Sequence, residues 1–154
     1  VKVVGIAGDS GFVSINTTKY LMNREVGFGR KLLQILEDLN ISWDHMPTGI
    51  DDLSVILRSK ELTPIKEQEI LKHLIQDLQV DYAEIEHDLS IIMIVGENMK
   101  NQIGVTATAT KALSENNINI QMISQGSSEV SIMFVVNQEQ EKQAIKALYD
   151  VFFK

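Results

Sequence analysis

The chain has no cysteine among its 154 residues. Disulfides, thiolate metal sites and cysteine nucleophiles are therefore excluded together, and the composition suits a reducing compartment such as the cytoplasm. Proline occurs only at Pro47 and Pro64, and glycine nine times, which excludes a fibrous or low-complexity chain. Cations are scarce as well: 14 lysines and arginines stand against 21 acids, giving a net charge of −7 and a pI near 4.9. They are scattered along the chain, so neither nucleic acid nor an anionic membrane surface is expected as a partner. Apolar runs such as Ile91-Ile92-Met93-Ile94-Val95 fall far short of the roughly 20 residues of a membrane-spanning helix. No signal peptide precedes the first strand-like run. A first residue of Val1 rather than Met leads to the expectation of a longer parent chain.

What is present is a folded-domain composition, 44% hydrophobic and 23% charged, arranged as an internal repeat. Sliding the sequence against itself by 77 residues, the spacing from Gly27 to Gly104, aligns Met22 with Met99, Leu36 with Leu113, Asn40-Ile41 with Asn117-Ile118, Gly49 with Gly126, Ser54 with Ser131 and Leu71 with Leu148. The matches hold one register without a gap. Apolar character agrees too, at Leu53/Val130, Val55/Ile132, Ile56/Met133 and Leu57/Phe134.

Within each copy the apolar period predicts the same elements. Phe28, Leu32, Ile35, Leu36 and Leu39 form one helical stripe closed by Asn40, a residue that tolerates the left-handed backbone of a helix end. Val105, Ala109, Ala112 and Leu113 repeat it, closed by Asn116-Asn117. Two short strands are expected after each helix, over 42–48 and 52–58, then over 118–125 and 129–136, with hairpin turns at Gly49–Asp51 and Gly126–Ser128. A second helix follows in each copy. Thr63-Pro64 starts the first, which buries Ile70, Leu71, Leu74, Ile75 and Leu78; the other begins near Asn137 and buries Ala144, Ile145 and Leu148.

Strands are also expected at Val13–Thr18, Val80–Glu86 and Leu89–Val95, so copy one reads β-α-β-β-α-β, the ferredoxin-like arrangement of an α+β fold. Copy two runs out of chain before its last strand, whereas Val1–Ala7 is a surplus strand at the N-terminus. Filling the vacant edge with that strand avoids a row of unpaired backbone groups. The expected domains are therefore 13–87 as unit one, inserted in a discontinuous unit two made of 1–7 and 88–154. The segment Gly5-Ile6-Ala7-Gly8-Asp9-Ser10-Gly11 reads as a turn between two strands. It lacks the Gly-Lys-Ser/Thr that a phosphate-binding loop requires.

Two nested units of this kind, with Tyr20-Leu21-Met22-Asn23-Arg24-Glu25-Val26-Gly27-Phe28, Asn40-Ile41-Ser42-Trp43-Asp44-His45-Met46, Gln102-Ile103-Gly104-Val105 and the run from Asn117 to Gln125-Gly126-Ser127-Ser128, resemble the tandem ACT-domain regulatory region of aspartokinases, most nearly the lysine-responsive type. The resemblance covers essentially the whole chain. It implies feedback inhibition of ATP-dependent aspartate phosphorylation, within lysine, threonine and methionine biosynthesis, by a bound end-product amino acid: lysine, with threonine as a second effector. It implies a homodimer and a separate kinase domain that would carry ATP and magnesium; the chain itself needs no cofactor and has no catalytic residue. A free-standing amino-acid sensor or interaction module is the alternative.

The resemblance also places effector-binding positions at Met22, Phe28, Gly29, Ser42, Trp43, Asp44, Thr48 and Asp52. The residues give this some chemistry of their own. A helix starting at Gly27-Phe28-Gly29 offers free N–H groups and close approach to a ligand carboxylate, though the same glycines suit a plain tight turn. Asp44 and either Asp51 or Asp52 would take the ligand's two ammonium groups. In copy two, Gln121 stands in register with Asp44 and Glu129 with Asp52, so that copy would bind lysine poorly. Trp43 suits a ligand wall, but a core position or a subunit interface suits it at least as well. His45, His73 and His87 lack metal-ligand spacing, Ser10, Ser124 and Ser127-Ser128 lack a paired base, and Glu84–Asp88 is a solvated acidic run.

Overall fold

The computed structural model describes residues 3–125 and 131–154. The chain forms two compact units, Phe12–His87 and the discontinuous pair Val1–Gly11 with Asp88–Lys154. In the first, β1 (Val3–Thr18) pairs antiparallel with β2 (Asp52–Arg58), Val13 opposite Leu57 and Thr18 opposite Asp52, and β3 (Tyr82–Gly96) flanks β1 on its other side. Helices α1 (Phe28–Asp38) and α2 (Pro64–Gln76) pack on this sheet. Val13 and Ile15 alternate on β1, and Leu53, Val55 and Leu57 on β2. Together they bury one face against Phe28, Leu32, Leu36, Ile70 and Leu74.

The second unit repeats the plan with β3, α3 (Val105–Glu115), β4 (Met122–Ser124), β5 (Ser131–Asn137), α4 (Glu141–Phe153) and the N-terminal part of β1. Its core gathers Ile92, Ile94, Ile132, Phe134 and Val136 beneath Ala109, Leu113, Ala144 and Leu148, with Val3 and Ile6 of β1 packed alongside. The antiparallel sheet and paired helices are the expected α+β, ACT-like class.

Local signals act as expected at the helix ends. The Thr63 hydroxyl accepts the Lys66 N–H at 3.2 Å, with Pro64 at the first helical position. Asn40 and Asn117 take left-handed backbone at φ 57° and 58° after their helices.

Several expectations are corrected. The turn read over Gly5–Gly11 does not exist, because residues 3–7 and Val13–Thr18 belong to one strand, β1; residues 1 and 2 lie outside the described ones. Gly11, at φ 82°, redirects the chain without ending the strand. Asp88, at φ 60°, does the same where Val80–Glu86 and Leu89–Val95 fuse into β3. The strand expected over 42–48 shrinks to bridges from His45 to Ile56 and from Thr48 to Leu53. Between them Pro47 accepts the Ser54 N–H through its carbonyl at 2.9 Å but has no N–H to return, so the ladder breaks. The strand expected over 118–125 shrinks to β4, Met122–Ser124, and that expected over 129–136 is described from Ser131 to Asn137 as β5; residues 129 and 130 and the turn Gly126–Ser128 lie outside the described residues. Ile75 is 49% exposed because it lies one residue off the Ile70–Leu74–Leu78 stripe, and α4 starts at Glu141, after a 3-10 turn.

The gapless register also fails at one place. Val13 faces Leu57, but Ser90, its equivalent 77 residues on, faces Val136. The structural equivalents of Leu53, Val55 and Leu57 are thus Ile132, Phe134 and Val136, two residues further along than the sequence match puts them. A shift of two leaves every side chain on its original face, so apolar patterning does not detect it.

The asparagine caps give a test. Asn117→Val forces a β-branched residue into left-handed backbone and should lower stability by about 1–2 kcal/mol, whereas Asn117→Gly should be neutral within about 0.5 kcal/mol. Urea denaturation of the two variants measures the difference.

Candidate functional site

The strand-to-helix crossing of the first unit is tied down by unusual backbone. Leu21 adopts φ 61°, a conformation that a branched side chain rarely takes, and is followed by a 3-10 turn at Met22–Arg24. The hairpin tip holds it there. Leu21 N–H donates to Asp51 Oδ1 at 3.0 Å, Lys19 N–H to the Asp51 carbonyl at 2.9 Å and Asn23 N–H to the Ile50 carbonyl at 3.1 Å. Lys19 Nζ donates to Glu25 at 2.5 Å and to the Leu78 carbonyl at 2.7 Å, and lies 5.8 Å from the centre of the Phe28 ring. The Lys19 hydrogen bond, with smaller help from the charges of Lys19 and Lys31, holds the Glu25 carboxyl below its ordinary pKa.

Helix α1 then begins at Gly27, φ 85°, with no side chain capping it and no acid in its first turn. A Cβ placed at Gly29 would meet nothing within 4 Å, so the N-terminal backbone is open to an anionic group.

The structure gathers six of the eight expected effector residues in three places, with Gly29 at the start of α1 and Asp44 in the segment that bridges to Ile56. Met22 and Phe28 are core side chains, 5% and 3% exposed, that support the crossing from beneath. Thr48 and Asp52 lie at the hairpin tip. Thr48 Oγ1 donates to the Met46 carbonyl at 3.1 Å, and the Asp52 carboxylate lies against Gly49. Asp51 is already engaged by Leu21, which leaves Asp52 as the acid open to a ligand. Ser42 and Trp43 line a cleft of about 560 Å³ at the C-terminal end of α1 with Leu33, Leu36, Glu37 and Glu61; Ser42 Oγ donates to Glu61 Oε1 at 3.3 Å. None of Met22, Phe28, Gly29, Thr48 or Asp52 lines that cleft.

Asp44 is exposed, and its N–H donates to the Ile56 carbonyl at 2.8 Å. Asp52 sits four residues along β2 from Ile56, ~13 Å at strand spacing, so one chain does not bring Asp44 and Asp52 to one ligand end. Beside Asp44, burial lowers the pKa of His45, against the raising effect of the Asp44 charge.

In the second unit Gln121 is the true counterpart of Asp44: its N–H donates to the Val135 carbonyl at 2.8 Å, and its side chain donates to Asn137 Oδ1 at 2.6 Å. The counterpart of Asp52 is not Glu129, which lies outside the described residues, but Ser131, paired with Val95 as Asp52 is with Thr18. Among the described residues no cluster of three potential metal ligands occurs. Nor is any helix long and apolar enough to cross a membrane. His73 lies between Asp77 and Glu69, and His87 pairs with Glu67 at 2.8 Å. The roles of Lys19 and Leu21 were not legible in the residue types, although the repeat pairs Leu21 with Asn98, which has φ 52°.

Comparison with known proteins places this geometry. The ACT domain family matches residues 92–152. Aspartokinase 3 of Bacillus subtilis is 52% identical over 151 residues, 98% of this chain and 33% of that protein. The solved aspartate kinase of Clostridium acetobutylicum superimposes with a TM-score of 0.92 at 36% identity, over 97% of this chain and 34% of its own. The chain belongs to the ACT-domain regulatory regions of aspartokinases. It spans about a third of the length of Aspartokinase 3. The fold is shared further, at 23% identity and a TM-score of 0.81, with Escherichia coli aspartokinase III solved with lysine and aspartate, over 99% of this chain and 33% of that one.

Leu21→Asn, which places in copy one the residue that copy two uses, should raise stability by about 0.5–1 kcal/mol in a thermal melt by relieving left-handed strain. The His45 contribution to stability should be fully present above its unfolded pKa, about 6.5, and should fall as the pH drops towards the lower folded value. Asp44→Asn should lower the His45 pKa further, read by NMR titration of the ring.

Proposed function

We propose that the chain is the effector-sensing part of an aspartate kinase. An end-product amino acid, lysine first and threonine second, binds at the first unit and inhibits a kinase domain that carries ATP and magnesium. The observation that carries this reading is the uncapped start of α1 at Gly27-Phe28-Gly29, standing over Met22 and Phe28 and stitched to an acidic hairpin. A ligand carboxylate meets the free N–H groups and positive dipole end at Gly29. Asp44 and Asp52 take the side-chain and α-ammonium groups, in either assignment, while Ser42 and Thr48 offer hydroxyls and Trp43 a wall.

The ~13 Å between Asp44 and Asp52 along one chain favours a site completed by a second copy, and hence a homodimer that closes its hairpins on the ligand. Escherichia coli aspartokinase III, solved with lysine, shares the fold and is consistent with lysine as effector. The second unit, with Gln121 and Ser131 in place of the two acids, contributes no comparable site for a dicationic ligand.

Lysine at about 100 times its dissociation constant should stabilise the chain by roughly 2.7 kcal/mol in a thermal melt. Asp44→Ala should weaken lysine binding by about 1.5–3 kcal/mol in calorimetry with little change in the ligand-free melting temperature, and Gln121→Ala should bind as the parent does. Equal lysine titrations for parent and Asp44→Ala would overturn the site. A threonine response without a lysine response would reassign the effector. Sedimentation of a monomer at high micromolar concentration with lysine would overturn the dimer.

A further inference from the structure

Away from that site, α1 and α2 of the first unit enclose a groove of about 330 Å³ that the proposed function does not use. Its floor is apolar, with Ile35 and Leu78 buried and Leu39 partly so. Its ends are charged. Arg30 lies on the first turns of α1 and makes no hydrogen bond or ion pair to any described residue; Lys31 beside it is 3.7 Å from Glu25. Asp38 closes the far end of the helix, with one carboxylate oxygen accepting Gln34 Nε2 at 2.9 Å. Eight residues separate Arg30 from Asp38, ~12 Å along the helix axis. The two ends are too far apart to neutralise each other directly. His73 lines the middle, and both its ring nitrogens face carboxylates of its own helix end, Asp77 and Glu69.

We propose that this groove binds an elongated zwitterion: a carboxylate at Arg30, a primary ammonium at Asp38, and between them about five methylenes lying over Ile35, Leu39 and Leu78. Each end gains a charge-assisted hydrogen bond, and the chain gains apolar contact that neither charge alone supplies. The second unit provides an internal contrast. Its equivalent helix carries Ala107 and Thr108 where α1 has Arg30 and Lys31, so the fold does not require cations at that position.

The test uses 6-aminohexanoate, which lacks the α-ammonium of an amino acid, titrated into the isotope-labelled chain and followed by amide NMR. Saturable shifts are expected at Arg30, Gln34, Asp38 and His73. Hexanoate and hexylamine, each missing one charge, should bind at least tenfold more weakly, as should 6-aminohexanoate to Arg30→Ala and to Asp38→Asn. Absence of saturable shifts, shifts confined to Gly29 and residues 42–52, or unchanged binding by Arg30→Ala would overturn the groove. The effector reading is decided separately by the lysine titration of Asp44→Ala, so either can fail alone.

Discussion

The position of the first helix depends on one ammonium group. Lys19 leaves β1 and immediately donates to Glu25, in the loop before α1, and to the Leu78 carbonyl, past the end of α2, while its own N–H meets the Asp51 carbonyl at the hairpin tip. The loop before α1, the end of α2 and the hairpin tip therefore converge on one residue. The consequence for chemistry is indirect. Glu25 is the acid nearest in sequence to the start of α1, and a free carboxylate there would cap the helix itself. Held by Lys19 and Lys31, its carboxylate does not cap the helix, and only its carbonyl reaches the end, accepting the Phe28 N–H at 3.3 Å. An ionic contact that adds little to stability at the surface thus decides whether the helix end is available to a ligand.

Much of the fold was legible in the sequence because its signals are local. The helical stripes, the Thr63-Pro64 start and the Asn40 and Asn117 ends each depend on residues within a few positions of one another, and each recurs in the structure. The failures share a different character. Whether Gly5–Gly11 holds a turn or a kink inside a strand depends on whether neighbouring strands continue past it, which no local signal reports. The register of β5 depends on hairpin length, and alternation is blind to a shift of two. That blindness matters for function, because it replaced Ser131 by Glu129 as the counterpart of Asp52 and made the second unit look more acidic at this position than it is.

The candidate site was legible as a set of residues but not as a place. Resemblance supplied eight positions, and the structure divides them among the core, the start of α1, the hairpin tip, the Asp44 bridge to Ile56 and a cleft at the opposite end of α1. Exposure separates the roles: Met22 and Phe28 shape the crossing from beneath, while Asp44, Thr48 and Asp52 remain accessible. Short polar side chains do not bridge the strand spacing between Asp44 and Asp52. A compact ligand can then use both acids only by recruiting them from different chains.

Leu21 shows how the two units diverged in what they ask of the same backbone. Both crossings pass through left-handed geometry at equivalent positions, φ 61° at Leu21 and 52° at Asn98. Asparagine accommodates that geometry readily, whereas leucine does so at a cost of about 1–2 kcal/mol. The first unit bears this cost while also carrying the acidic hairpin that holds the turn through Asp51, and the second has neither leucine nor paired acids. Strain persists only where surrounding contacts over-determine the conformation. Here those contacts are the Asp51 hydrogen bonds at the tip, one residue from Asp52. Any displacement of Asp52 and its neighbours outward would loosen the hold on Leu21, because the tip and the turn before α1 are joined through Asp51.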